Sequence, residues 1–220
     1  MRLLELFSGT CSIGKVAKEL GYEVHSVDKF MESDGSSDKH HLIDIYDFDY
    51  KQYPRDHFDV VTASPVCTWW SLCRKSNFGK VLKNVCPNEP FTWEHYYKDI
   101  EQYGIPMVDK TLEILDYFKP QRWWIENPAT SDMKYYINDL LPYVEVHYCQ
   151  YGFGYPKKTR FWVSENIKEN FKPKLCHKNC IERINKNGKH RIAMNKIGSG
   201  TRRELRYRIP NQLVKELLTC

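Results

Sequence analysis

No apolar run comes near the roughly 18 residues that a membrane-spanning helix needs, so no membrane span is expected. The N-terminal MRLLELF runs straight into a strand-like pattern and lacks the anatomy of a secretory signal. An intracellular setting, in cytoplasm or nucleus and not secreted, is the expectation, and with it a reducing environment. The eight cysteines are scattered, which excludes a disulfide framework. Internal repeats are absent. The glycine turn near the N-terminus has neither the spacing of a dinucleotide fingerprint nor the Gly-Lys-Ser/Thr of a phosphate loop. What remains is an ordinary globular composition, 41% hydrophobic and 28% charged over 220 residues. That length suits one domain with a substantial core and a small appendage.

Charge is unevenly spread. Between Arg183 and Arg208 there are nine Lys/Arg and one acid, while the remainder carries 24 basic and 27 acidic residues. Such a block favours a polyanion partner, with a solvated basic surface as the plainer reading.

Short apolar runs at 2–7, 23–28, 40–45, 58–64 and 122–127 predict buried strands, and 12–20, 106–118 and 134–141 predict helices. The alternation at 144–151 and 159–165 predicts a closing antiparallel pair. Strands alternating with helices predict an open α/β sheet. Residues 166–204 read as a polar, basic insertion, and 205–218 regain helical spacing. The division is therefore 1–165 plus 205–220 as the main domain, with 166–204 as a small recognition segment.

Three features bear on chemistry. LELFSGTCSIG joins a strand to a helix, and Gly9 lets backbone approach a ligand closely. A tight strand-to-helix turn also needs glycine for purely structural reasons. Asp28 ends the second strand, where it could accept ribose hydroxyls, and Asp44 follows the third, where it could meet an adenine amino group. Together they favour a cofactor with adenosine but no phosphate, namely S-adenosylmethionine. Cys67 lies just past the fourth strand, as a nucleophile or as a buried structural thiol. Glu126 ends the fifth, as a catalytic acid or a salt-bridged carboxylate. Read together, they suit methylation of cytosine carbon 5. A thiolate adds at carbon 6, an acid beside apolar Trp124 and Ile125 protonates ring nitrogen 3, and carbon 5 then becomes nucleophilic.

The ordered set LELFSGTCSIG, SPVCTWWS, IENP, QYGFGYPKKTRFW and RYRIPNQLVKELL resembles the DNA (cytosine-5) methyltransferase family, of the small type found in large DNA viruses and phages. The resemblance implies a Rossmann-like, S-adenosylmethionine-dependent methyltransferase fold with a short basic recognition insertion, acting on double-stranded DNA. It implies catalytic roles for Cys67, Glu126 and Arg160, the last as a base-contacting or loop-ordering arginine, and loop positioning by Asn127. The cofactor would lie among Phe7, Ser8, Gly9, Cys11, Ser12 and Ile13 of the first turn, Asp28, Asp44 and Ile45 of the next strand ends, and Pro65. Phe7 would stack on adenine. Arg202 and Arg203, beside Gly198-Ser199-Gly200, would bind phosphates.

The sequence departs from the family pattern in four places. Cys11 stands where glycine is common, and Val66 replaces the proline before the nucleophile. Lys157-Lys158-Thr159-Arg160 replaces a Gln-Xaa-Arg-Xaa-Arg motif, and the asparagine of the last motif is replaced near Tyr207. The short recognition segment points to a short target, loose specificity or an auxiliary partner. An RNA (tRNA) cytosine-5 methyltransferase, or a degenerate protein that only binds nucleic acid or cofactor, remain the alternatives. Cys176 and Cys180 could give two zinc ligands, completed by Cys73, Cys86 or His190. The spacing is no standard finger, so unligated cysteines are expected. Trp69, Trp70, Trp93, Tyr96 and Tyr97 follow the nucleophile either as base-stacking groups or as core.

Overall fold

The computed structural model describes residues 1–137, 140–184, 188–193 and 206–220. Its centre is a seven-stranded sheet. The chain-order strands are β1 (Arg2–Leu6), β2 (Glu23–Asp28), β3 (Lys39–Leu42), β4 (Val60–Ala63), β7 (Arg122–Pro128), β8 (Tyr143–His147) and β9 (Lys158–Val163); β5 (Val81–Leu82) and β6 (Cys86–Pro90) form a separate hairpin. Spatial order is β3-β2-β1-β4-β7-β9-β8. The first five are parallel, and β9 joins antiparallel to both β7 and β8. This is the expected α/β sheet with its closing antiparallel pair.

β1 and β4 sit at the centre because both faces of each are apolar. Leu3, Leu4, Leu6, Val60, Val61 and Ala63 have no exposed surface, the pattern of parallel strands covered on both sides. Alternation sends Leu4, Leu6, Val61, Ala63 and Ile125 into one core, and Leu3, Val60 and Trp124 into the other. Helix α4 (Ile105–Phe118) covers the first core through Val108, Ile114 and Phe118. α1 (Ser12–Glu19) and α7 (Asn211–Thr219) cover the second through Ile13, Val16, Leu213, Val214 and Leu217.

The chain turns away from β1 in one direction and from β4 in the other, so the crevice between their carboxyl ends is the switch point where open α/β sheets bind ligands.

Differences from the sequence expectation are local. The third strand is shorter, Lys39–Leu42. The last helix begins at Asn211, because Pro210 has no amide hydrogen and holds its neighbour out of helical conformation. Residues 72–99, without clear periodicity, form α2 (Leu72–Lys75), the β5–β6 hairpin and α3 (Trp93–Asp99). Their order comes from rings: Phe78 stacks on Phe91 and packs against Trp93 and Tyr96. Gly104, at the junction of a π turn with α4, has no room for a side chain, since a Cβ there would lie 2.7 Å from the Trp70 ring.

Among the described residues no helix is long and apolar enough to cross a membrane. α5 (Met133–Ile137) and α6 (Glu165–Asn170) complete the elements.

Candidate active site

The first turn is strained. Phe7, Gly9 and Cys11 all take left-handed backbone, with φ of 58°, 49° and 51°. For residues with a Cβ this costs about 1–2 kcal/mol each. The departure at Cys11 is thereby explained in backbone terms: the position demands the conformation glycine adopts freely, and the cysteine adopts it under strain. Cys11 caps α1 without a side-chain bond. The helix end is satisfied instead from β1, where buried Glu5 accepts the amides of Ile13 (3.3 Å) and Gly14 (2.9 Å). Burial pushes the Glu5 carboxyl up to about 8, against the lowering effect of those two amides. Sequence reading passed over Glu5, although a lone acid in RLLEL was the available signal.

Asp28 stands at the carboxyl end of β2. One oxygen accepts the Gly9 amide at 2.9 Å, and the other accepts the amides of Phe30 and Met31. A carboxylate has about four acceptor positions, so about one is left for a ribose hydroxyl rather than two. Asp44 pairs with Lys29 at 2.7 Å. Burial alone would raise its carboxyl; the Lys29 ammonium and the Tyr46 amide bring it below the usual range. Ile45 beside it is buried. Ser8 is buried, and its hydroxyl has no hydrogen-bond partner among the described residues. A Cβ on Gly9 would meet only the Phe7 carbonyl, at 3.8 Å. The Ser12 hydroxyl is within 2.9 Å of the Thr10 hydroxyl. Among the described residues, an unpaired buried hydroxyl, a strand-end carboxylate acceptor and open space over Gly9 fit a polar, phosphate-free adenosine cofactor.

On the other side of the switch point, Cys67 opens a 3-10 turn, Cys67–Trp70, and is half-buried. Val66 before it has φ −57°, a value proline itself would fix. Its replacement of proline therefore leaves the backbone path intact. Strand β7 runs past the end of β4, which pairs only as far as Ala63 with Ile125. The next two β7 residues meet the nucleophile loop. Asn127, wholly buried, donates from Nδ2 to the Pro65 carbonyl at 2.9 Å and ties the loop to β7. Glu126 is 7% exposed. Its Oε1 accepts from the Tyr148 hydroxyl (3.0 Å) and from Lys157 Nζ (3.2 Å). Oε2 makes no hydrogen bond among the described residues. Burial pushes the Cys67 thiol up; Lys157 pulls it down, Glu126 pushes it up and Arg206 pulls it down. Lys157 thus serves both the carboxylate and the thiol, and sequence reading did not single it out.

Arg160, expected as a base-contacting or loop-ordering arginine, lies in β9. It pairs with Asn127 across β7–β9, whereas Glu126 pairs with Phe161, so it shares the face of Asn127 and not that of Glu126. Its Nη2 bonds Glu145 at 2.5 Å and its guanidinium covers the Tyr143 ring at 4.0 Å. The cation on Glu126 is Lys157. The five aromatics divide: Trp70 and Tyr96 are core, Trp69 is half-buried and stacks on Tyr103, and Trp93 and Tyr97 are exposed. A cleft of about 430 Å³ lies among Trp70, Trp93, Tyr97 and Tyr136. Arg202 and Arg203 lie outside the described residues, as does Gly198–Gly200.

No family model matches the chain. A curated relative from Frog virus 3 (isolate Goorha), named a probable DNA (cytosine-5)-methyltransferase, is 37% identical over 231 residues, covering 99% of each chain. Among solved structures, the chain is similar to the S. pombe Dnmt2 methyltransferase (14% identity, TM-score 0.43, 74% of this chain) and to a mutant of Spodoptera frugiperda DNMT2 (15%, 0.45, 80%). It spans about half of those two chains, 49% and 54%. Likenesses that weak carry no argument.

Proposed function

This chain belongs to the DNA (cytosine-5)-methyltransferase family, and from that premise we propose that it methylates carbon 5 of a cytosine flipped out of double-stranded DNA, with S-adenosylmethionine as donor and Cys67 as nucleophile. One observation supports the reading: Asn127 fastens the Cys67 loop, at Pro65, to the strand that bears Glu126.

The first turn, Asp28 and Asp44 would hold the cofactor, with Ser8 Oγ and one acceptor position of Asp28 meeting its polar groups. S-adenosylmethionine bound there supplies an electrophilic methyl group. The Cys67 thiol loses its proton and its sulfur adds to carbon 6 of the base, which raises electron density at carbon 5. Glu126 Oε2, without a hydrogen bond among the described residues, meets ring nitrogen 3, and a proton held between them stabilises the electron-rich ring. Lys157 and Tyr148 fix Oε1 and so aim Oε2. After carbon 5 takes the methyl group, its proton passes to solvent water and the Cys67 sulfur is expelled as thiolate. Arg160, paired with Glu145, orders the strand pair behind Asn127. Arg202 and Arg203 bind phosphates in this scheme. Changing both to Ala lowers the salt slope of DNA binding by about 2.

The test is transfer of labelled methyl from S-adenosylmethionine with duplex DNA and transfer RNA in competition. Label at cytosine carbon 5 of DNA supports the reading. Label confined to RNA, or none with a folded, cofactor-binding protein, rejects it.

A further inference from the structure

We propose that Cys149, Cys176, Cys180 and His190 form a structural zinc site that fastens the basic segment to the catalytic domain. The ligand atoms of these four side chains all lie within 4.8 Å of one another. A tetrahedral zinc with three sulfurs and one nitrogen has ligand–ligand edges of about 3.8 Å, so shifts below about 1 Å close the set around an ion. Three thiols and one imidazole with no open fourth position make a structural set rather than a catalytic one.

The ligands come from three places in the chain. Cys149 lies in the 3-10 turn Tyr148–Tyr151 that follows β8. Cys176 and Cys180 flank a tight turn, in which the Cys180 amide donates to the His177 carbonyl at 3.1 Å. His190 approaches Cys176, its Nε2 3.3 Å from the sulfur. Neither Cys73 nor Cys86 takes part, and the proposal departs from the expectation of unligated cysteines.

Burial shows why the segment needs such a staple. Between Lys172 and Ala193, no described residue is in a helix or strand. Leu175, Ile181 and Ile184 are exposed, while Cys180 and His190 are buried. The side chains most withdrawn from water are therefore metal ligands, not apolar groups. A short segment without a core of its own is held by a metal or a disulfide, and here every cysteine is free.

The surroundings also suit bound thiolates. Three thiolates and one zinc ion leave a net negative charge. Gln150 Nε2 donates to the Cys180 sulfur at 3.0 Å and Arg183 Nη2 to the Cys176 sulfur at 3.6 Å. Such N–H donors orient ligands and offset their charge. Cys149 directly follows Tyr148, whose hydroxyl holds Glu126. The staple therefore joins the basic segment to the turn that aims the catalytic carboxylate.

The experiment is metal analysis of the full chain purified without chelator, alongside Cys176→Ser/Cys180→Ser and, as a control, exposed Cys73→Ser. The wild type and the control are expected to hold one zinc per chain, and the double variant less than about a tenth of that. Should the double variant not fold, cobalt reconstitution of the wild type gives an independent reading. Sulfur-to-cobalt charge-transfer bands with tetrahedral d–d bands support the site. A folded wild type that keeps no zinc after reconstitution overturns it. Zinc retained by a folded double variant, or cobalt bound without the sulfur bands, does so too.

Discussion

The two halves of the sheet edge are built by different means. Around β1–β3, backbone holds two of the three candidate carboxylates: Glu5 takes two amides of α1, and Asp28 takes three, from Gly9, Phe30 and Met31, while Asp44 pairs with Lys29. Around β4 and β7–β9, side chains hold side chains: Glu126 is gripped by Tyr148 and Lys157, and Arg160 by Glu145. Two side chains there also reach backbone, Asn127 at Pro65 and Lys157 at Arg206. A backbone-held half is rigid and depends on local conformation. A side-chain-held half can re-form its contacts when a base enters, and its chemistry depends on individual atoms. Changes in the first half should therefore appear in affinity and stability, and changes in the second in turnover.

The largest effect belongs to the second half. Cys67→Ser removes at least about four orders of magnitude of methyl transfer, while calorimetry of S-adenosylmethionine binding stays near wild type. A serine variant with substantial turnover would break the division.

Next comes Lys157→Met. Its ammonium opposes the burial that raises the Cys67 thiol, so its loss raises that pKa further and leaves less thiolate at neutral pH. Turnover falls by about 100-fold, and the acidic limb of the kcat/KM profile moves to higher pH. A limb that stays put would remove Lys157 from the nucleophile's environment. Arg160→Ala, acting through Glu145, has no such effect on the limb.

In the first half, Asp28→Ala weakens cofactor binding by about 1.5–3 kcal/mol, the scale of a hydrogen bond to a charged group, and leaves turnover at saturating cofactor largely intact. Titration calorimetry reads this directly, and an unchanged affinity would mean that Asp28 serves only the loop amides.

Glu5 supplies a subtler signature. Its carboxyl titrates at about 8 in the fold, against 4.5 for a glutamate free in water. Between those values the native state keeps a proton that the unfolded chain has lost, so stability falls as pH rises through the window. Glu5→Gln flattens that slope, as melting temperatures from pH 5 to 8 would show; equal slopes in both proteins would contradict it. Smallest of all, Cys11→Gly relieves left-handed strain but gives up a buried side chain and loosens the unfolded chain, so its melting temperature stays close to wild type.

The sequence revealed the first half more fully than the second, for the same physical reason. Strand ends with acids and a glycine turn are local patterns, and Asp28, Asp44 and the LELFSGTCSIG turn are found where periodicity put them. The number of hydroxyls Asp28 can hold was not legible, because it depends on which amides fold over the carboxylate. In the second half, Cys67 was visible just past one buried strand and Glu126 near the end of the next. Lys157 was not, because its place beside Glu126 arises from the antiparallel return of β9, and a one-residue alternation decides whether Lys157 or Arg160 faces the acid. The zinc cluster was legible in three of its four ligands: Cys176 and Cys180 are close in sequence and His190 was among the candidate partners, while Cys149 arrives from a turn 27 residues before Cys176.

The central claim is that Cys67 attacks the base while Glu126 and Lys157 stabilise it. Duplex DNA containing 5-fluorocytosine tests it most directly, because fluorine cannot leave carbon 5 as a proton does. With S-adenosylmethionine present, wild type should become covalently joined to the DNA, the mass of the methylated adduct should map to the peptide holding Cys67, and Cys67→Ser should give none. Methylation of ordinary DNA by a wild-type protein that never forms this adduct, or an adduct on any other residue, would contradict the account.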